Sequence, residues 1–252
     1  MRYFLEISYN GHAYVGWQRQ PNGVSIQEVL EDTIALIMQE PVQITGCGRT
    51  DSGVHARRYI GHLDLQGLLP TRLVQRLNRM LPHDIVIHDL FEVAAEAHAR
   101  FDATCRSYRY YISLGKDPFS PNMAWHYPHT HLVNQDLMQE AATLLLDFHD
   151  YAPFCKSNHD AETTLCDLSA SSWTIDNERW VYHVEANRFL RGMVRLIVGM
   201  CLEVGQGKLP LDEVVASFDE KRQVSRAWSV PPDGLYLDRI DYPHRASWKP
   251  VN

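Results

Sequence analysis

At 252 residues the chain has the length of one large domain or two small ones, and it can bury about three quarters of its extended-chain surface, enough for a core without disulfide or metal staples. Hydrophobic residues make up 45% and charged residues 22%, with no Gly/Ser or Pro tract, which excludes a disordered, collagen-like or coiled-coil chain. Lys and Arg number 24 against 31 Asp and Glu, a formal charge of −7, so binding a polyanion requires positive charge gathered on one face.

Residues 2–9 alternate Tyr3, Leu5, Ile7, Tyr9 against Arg2, Phe4, Glu6, Ser8, the period of a strand with one buried face. Ser25 and Glu28 form a capping box ahead of a helix that carries Ile26, Val29, Leu30, Thr33, Ile34 and Ile37 on one side. Strand-like segments near 41–47 and 58–65, a helix near 70–80 and a strand near 84–92 complete the first hundred residues. A β-rich run 107–112 follows, then a helix from 134 to about 147, strands near 165–175 and 180–186, an apolar helix from 189 to about 204, a short helix after Pro210 and a closing strand 235–242. Segments 115–130 and 150–162, rich in Pro, His, Asn and Asp, read as loops. This order predicts an α+β protein of two similar α/β halves with mainly antiparallel sheets, residues 1–102 and 103–252.

Cys47, Cys105, Cys155, Cys166 and Cys201 are odd in number and lack C-x-x-C spacing, so neither a disulfide framework nor a zinc ribbon is expected. Glu6 interrupts the apolar run a signal peptide needs, and no run of 18 apolar residues occurs; a reducing cytoplasm and no membrane are the expectation.

The densest polar cluster is Gly46-Cys47-Gly48-Arg49-Thr50-Asp51-Ser52-Gly53-Val54-His55-Ala56, between two predicted strands. Its glycines permit a tight loop, and Arg49 two residues before Asp51 favours an ionised carboxylate, suited to act as nucleophile or base. The same residues equally fit an Asx-turn with a surface arginine. Thirteen scattered histidines show no metal-ligand spacing, and no nucleophile elbow, P-loop or dinucleotide fingerprint occurs, so neither metal nor cofactor is expected. Arginines bunch at 49/57/58, 72/76/79, 100/106/109 and 188/191/195. The last trio, at i, i+3 and i+7, falls on one side of the predicted helix near its start, which fits either phosphate binding or a solvated face. Trp17 and Gln18 either line a cleft or belong to the core.

The run from Gly48 to Ala56 closely resembles the signature loop of the tRNA pseudouridine synthase A family. Gly16-Trp17-Gln18-Arg19-Gln20, the Asn78/Leu81/Pro82/Asp84/Ile85 pattern, His98-Ala99-Arg100-Phe101, Tyr108-Arg109-Tyr110, the stretch Ala186 to Arg195 and Gly234-Leu235-Tyr236-Leu237 agree in order, so the resemblance spans essentially the whole chain. It implies a cofactor-free, metal-free, cytoplasmic homodimer whose two halves flank a basic central cleft and which turns uridine into pseudouridine at positions 38, 39 and 40 of the tRNA anticodon stem-loop. By the same resemblance Asp51 is the nucleophile, Arg49 positions it and fills the space left by the extruded base, and Tyr108 contacts the flipped uracil. Arg58, Arg100, Phe189, Arg191 and Arg195 complete the expected substrate-binding set. Two positions depart from the family pattern: Ser52, where Ala is common, offers a hydroxyl near the carboxylate, and Gly192 stands where His is common.

The reaction explains these residue types. Uracil must leave its ribose, rotate and rejoin through carbon 5, with no redox change or group donor. Extrusion from the stem calls for an aromatic platform, and the carbon 5 proton for an acceptor. The sequence leaves open whether the carboxylate attacks the ribose or the uracil ring. Two other classes compete: an aspartate-nucleophile hydrolase with Asp64 as its second acid, and a catalytically silent RNA-binding module that tolerates loss of Asp51.

Overall fold

The structure, a computed structural model, describes residues 1–155 and 163–251; from residue 156 the expected loop 150–162 lies outside the described residues. In chain order the elements are β1 (Arg2–Tyr9), α1 (Ile26–Met38), β2 (Thr45–Gly46), β3 (His55–Asp64), α2 (Leu73–Met80), β4 (Ile85–Val93), β5 (Cys105–Ser113), β6 (Trp125–His126), α3 (Gln135–Leu144), β7 (Leu168–Ile175), β8 (Arg179–Ala186), α4 (Met193–Gly205), α5 (Leu211–Asp219), β9 (Leu235–Asp241) and β10 (Lys249–Pro250). The fold is thus mixed α and β, with mostly antiparallel strand pairing. No helix among the described residues is long and apolar enough to cross a membrane. The chain forms two compact units, one of Met1–Arg106 with Tyr236–Asn252, the other of Ser107–Leu235.

In the first unit the strands run β10-β4-β1-β3-β9, with β2 also on β3. The central β1 is antiparallel to both neighbours, whereas β9 joins β3 in parallel through His55↔Tyr236 and Ala56↔Leu237. Tyr3, Phe4, Leu5, Glu6, Ile7 and Tyr9 of β1 are all buried, against the expectation of a single buried face. The reason lies at the other end of the chain: Tyr242 and Trp248 pack on Phe4, with ring centroids 5.7 and 4.9 Å away, and so cover its face. Helix α1 begins as expected, Ser25 Oγ accepting from the Glu28 N–H while Glu28 reaches back to the Ser25 N–H. The expected strand at 41–47 shrinks to Thr45–Gly46 because the Ile44 N–H is already taken, 2.9 Å from the buried Glu31 carboxylate of α1.

In the second unit β5, β8 and β7 lie side by side, with β6 parallel to β5, and α3 packs on both α4 and β7. Asn134 caps α3, its side-chain oxygen accepting from the Asp136 and Leu137 N–H groups. Helix α4 is apolar almost all round and buries Met193, Val194, Ile197, Val198, Met200, Cys201 and Leu202. It starts at Met193 rather than 189. The Met193 N–H closes a turn on the Leu190 carbonyl, and Gly192, at φ 72°, breaks the helical path.

Candidate active site

The loop between β2 and β3 is built against the segment 11–17, which runs alongside it. Gly11 N–H donates to His55 Nδ1 at 3.2 Å, the Tyr14 carbonyl accepts from Gly53 N–H at 3.3 Å and from Ser52 Oγ at 3.2 Å, and Trp17 N–H donates to the Thr50 carbonyl at 3.1 Å. Contact is closest at Gly11, where a Cβ would lie 2.0 Å from the Val54 carbonyl oxygen, and it is tight again at Gly16. With φ 105° it lies where a Cβ would meet the Thr50 carbonyl oxygen at 2.6 Å, so only glycine lets the two backbones approach this far. The Ser52 hydroxyl thereby joins the loop to Tyr14.

Beneath the loop sits an aromatic prop. Trp17 and Tyr59, 3% and 0% exposed, stack with centroids 3.9 Å apart, and Tyr9 packs on both. The Tyr59 hydroxyl donates to the Gly48 carbonyl at 2.5 Å and fills the space a Cβ at Gly46 would need, 1.8 Å from it; Tyr9 and Thr50 share a hydroxyl–hydroxyl bond of 2.8 Å. Trp17 is therefore core. Arg106 completes the base of the loop by donating to the carbonyls of Cys47, Arg100 and Ala103, which removes it from the cluster 100/106/109 as a free cation. Burial pushes the Cys47 thiol up to about 12, so it stays neutral packing.

On this frame the Asp51 carbonyl accepts from Val54 N–H at 3.1 Å, closing a turn, and the Asp51 side chain is half-buried. Arg49 is exposed in the same loop. At the start of β3, Arg58 Nε lies 2.7 Å from Glu6, and Arg57 Nε 3.8 Å from Asp238. Arg100 is exposed, its guanidinium 5.6 Å from the Phe101 ring centroid. Asp64, the second acid a hydrolase would need, is held by Arg2 at 2.8 and 2.9 Å, which keeps its carboxyl below the usual range. It ends the strand that His55 begins, nine residues or about 30 Å further on.

The other expected residues belong to the second unit. Tyr108 and Phe189 are half-buried and meet edge to face, centroids 5.0 Å apart at 82°. Arg188 and Arg191 precede α4, so the trio 188/191/195 does not share a helix face as its spacing predicts. Arg191 is exposed, while Arg195, in the first turn of α4, donates through Nε to the Val230 carbonyl at 2.5 Å. Sequence reasoning missed Tyr9, Tyr59 and the role of segment 11–17. The glycines at 11 and 16, each set where another backbone passes closely, were the available signal.

Among the described residues no three His, Cys, Asp or Glu side chains form a group that could hold a metal. A family model described as tRNA pseudouridine synthase matches residues 141–243. The chain is 41% identical over 244 residues to the tRNA pseudouridine synthase A of Parabacteroides distasonis, covering 96% of each, and 40% identical over 245 residues to that of Bacteroides fragilis, again 96% of each. That of Porphyromonas gingivalis is 41% identical over 250 residues, 96% of this chain and 97% of the relative. Identity of this size along nearly the full length places the chain in the tRNA pseudouridine synthase A family, whose members are isomerases that make pseudouridine in tRNA.

Proposed function

We propose that this chain isomerises uridine to pseudouridine at positions 38, 39 and 40 of the tRNA anticodon stem-loop, with Asp51 as nucleophile. The observation that carries the reading is the construction of the Asp51 loop: a half-exposed carboxylate on a backbone tied down on one side by segment 11–17 and underneath by Tyr9 and Tyr59. A carboxylate that must meet one carbon atom repeatedly needs such fixed placement, since misplacement by about 1 Å costs about a hundredfold in rate.

In this reading the Asp51 carboxylate adds to the ribose or to the uracil ring. The bond from the ribose to ring nitrogen 1 breaks, the uracil rotates, a bond forms from ribose to carbon 5, the bond to Asp51 breaks to restore the free carboxylate, and the proton on carbon 5 leaves to a base. The sequence is redox-neutral and consumes no donor. Tyr108 supplies the ring against which the extruded uracil stacks and the oxygen to which the proton passes, directly or through water, and Phe189 steadies that ring from its edge. Arg49 positions the nucleophile. Arg58, Arg100 and Arg191 meet phosphates, as does Arg195 with the nitrogens not engaged by Val230. The family resemblance adds a homodimer, which sedimentation would show as twice the 29.0 kDa chain mass.

Mapping pseudouridine in unmodified tRNA transcripts after incubation with the purified protein tests the site choice. New pseudouridine at 38, 39 and 40 is expected; pseudouridine confined to other positions contradicts it.

A further inference from the structure

We propose that Arg58 and Arg245, held apart by the buried carboxylate of Glu6, form a preorganised site for an RNA phosphodiester, with Arg245 as a binding residue of the first unit. This rests on tRNA being the substrate. Glu6 is 6% exposed, and its two oxygens are divided between two cations: Oε1 lies 2.7 Å from Arg58 Nε and Oε2 2.5 Å from Arg245 Nη2. A carboxylate is buried at a large penalty unless it is paired, so the three groups stand or fall together.

The stoichiometry points outward. Arg19 faces Glu28, Glu31 and Asp32, and Arg222 faces Glu213 and Glu220, so those arginines are outnumbered by acids. At Glu6 two guanidiniums share one carboxylate, and Asp89, opposite Glu6 on β4, is the further acid beside them. Their side chains are 46% and 36% exposed, and each spends one nitrogen on Glu6, leaving donors for a planar, two-oxygen acceptor.

Both arginines are also fixed from their own side. Ile7 pairs with Tyr59 and Tyr9 with Ala56, so Arg57 and Arg58 together oppose Ser8 in a bulge, a device that redirects side chains. Arg245 lies over Trp248, 5.2 Å from the ring centroid, and Trp248 is anchored among Phe4, Phe91 and Tyr242. The tail thus keeps its seat without the ion pair, which makes Arg245 substitutable.

The test is the salt dependence of binding to an unmodified tRNA transcript. Arg245→Gln and Arg58→Gln are each expected to weaken binding several-fold and to lower the log–log salt slope by about one. Glu6→Gln discriminates further: it adds a net positive charge, so diffuse attraction would tighten binding, whereas loss of the fixed spacing weakens it. An unchanged slope in both arginine variants, or tighter binding by Glu6→Gln, overturns the proposal. Should Glu6→Gln fail to fold, seen in its thermal transition, the two arginine variants decide. A parent protein that does not bind tRNA would instead overturn the functional reading beneath it.

Discussion

The loop that carries Asp51 and the segment that carries Phe189 and Arg191 are secured in opposite ways. The first is pinned by backbone and hydroxyl bonds from residues 9–17 and 59, over a stacked Trp17–Tyr59 pair with no room for a Cβ at Gly16 or Gly46. The second is fixed at its ends, by Asn187 paired with Asp167 and by the turn from Leu190 to Met193, while Arg191 between them is exposed. Under the proposed function this contrast has a reason, since a nucleophile has to be placed and a phosphate contact has only to be reached.

This contrast can be broken by substitution. Tyr108→Phe keeps the ring against Phe189 and removes the hydroxyl, so tRNA binding is expected to persist while turnover falls by about a hundredfold or more; a near-normal single-turnover rate would leave Tyr108 as a stacking platform only. Gly46→Ala drives a methyl into Tyr59 and Trp17 and should cost about 1–3 kcal/mol of stability and about a hundredfold in kcat if the loop shifts by about 1 Å. Full activity would show that the prop does not set the loop. Tyr59→Phe leaves the stack and deletes the hydroxyl's bonds, the one to Gly48 among them and each worth about 0.5–1.5 kcal/mol, and should lower kcat several-fold with KM unchanged. Its counterpart in the other region, Arg191→Ala, should do the reverse, a several-fold rise in KM for tRNA at constant kcat. If both variants move the same parameter, the two regions are not divided between placement and binding.

What was legible in the sequence was what is local. The Ser25–Glu28 capping box, the helix beginning near residue 134 and the strand at residues 2–9 depend on residues within a few positions of each other, and each element appears where it was expected. The start of α4 was misread because apolar periodicity continues through Phe189 and Leu190, while a single glycine at φ 72° decides where the helix begins. The double burial of β1 and the parallel seat of β9 on β3 come from residues more than 170 positions away, beyond any local pattern. In the proposed site, the glycine-rich motif around Asp51 was legible as a tight loop, but the hydroxyls of Tyr9 and Tyr59 that hold that loop read from sequence as ordinary strand aromatics.

The most direct test of the central claim is release of tritium from carbon 5 of labelled uridine in tRNA by the Asp51→Asn variant, because isomerisation expels that atom whichever point the carboxylate attacks. The variant keeps the size of the side chain and the turn from Asp51 to Val54, so it should fold and bind tRNA like the parent. No tritium release above background is the expected result. Release within about tenfold of the parent, a barrier change of only about 1.4 kcal/mol, would contradict a nucleophilic role for Asp51.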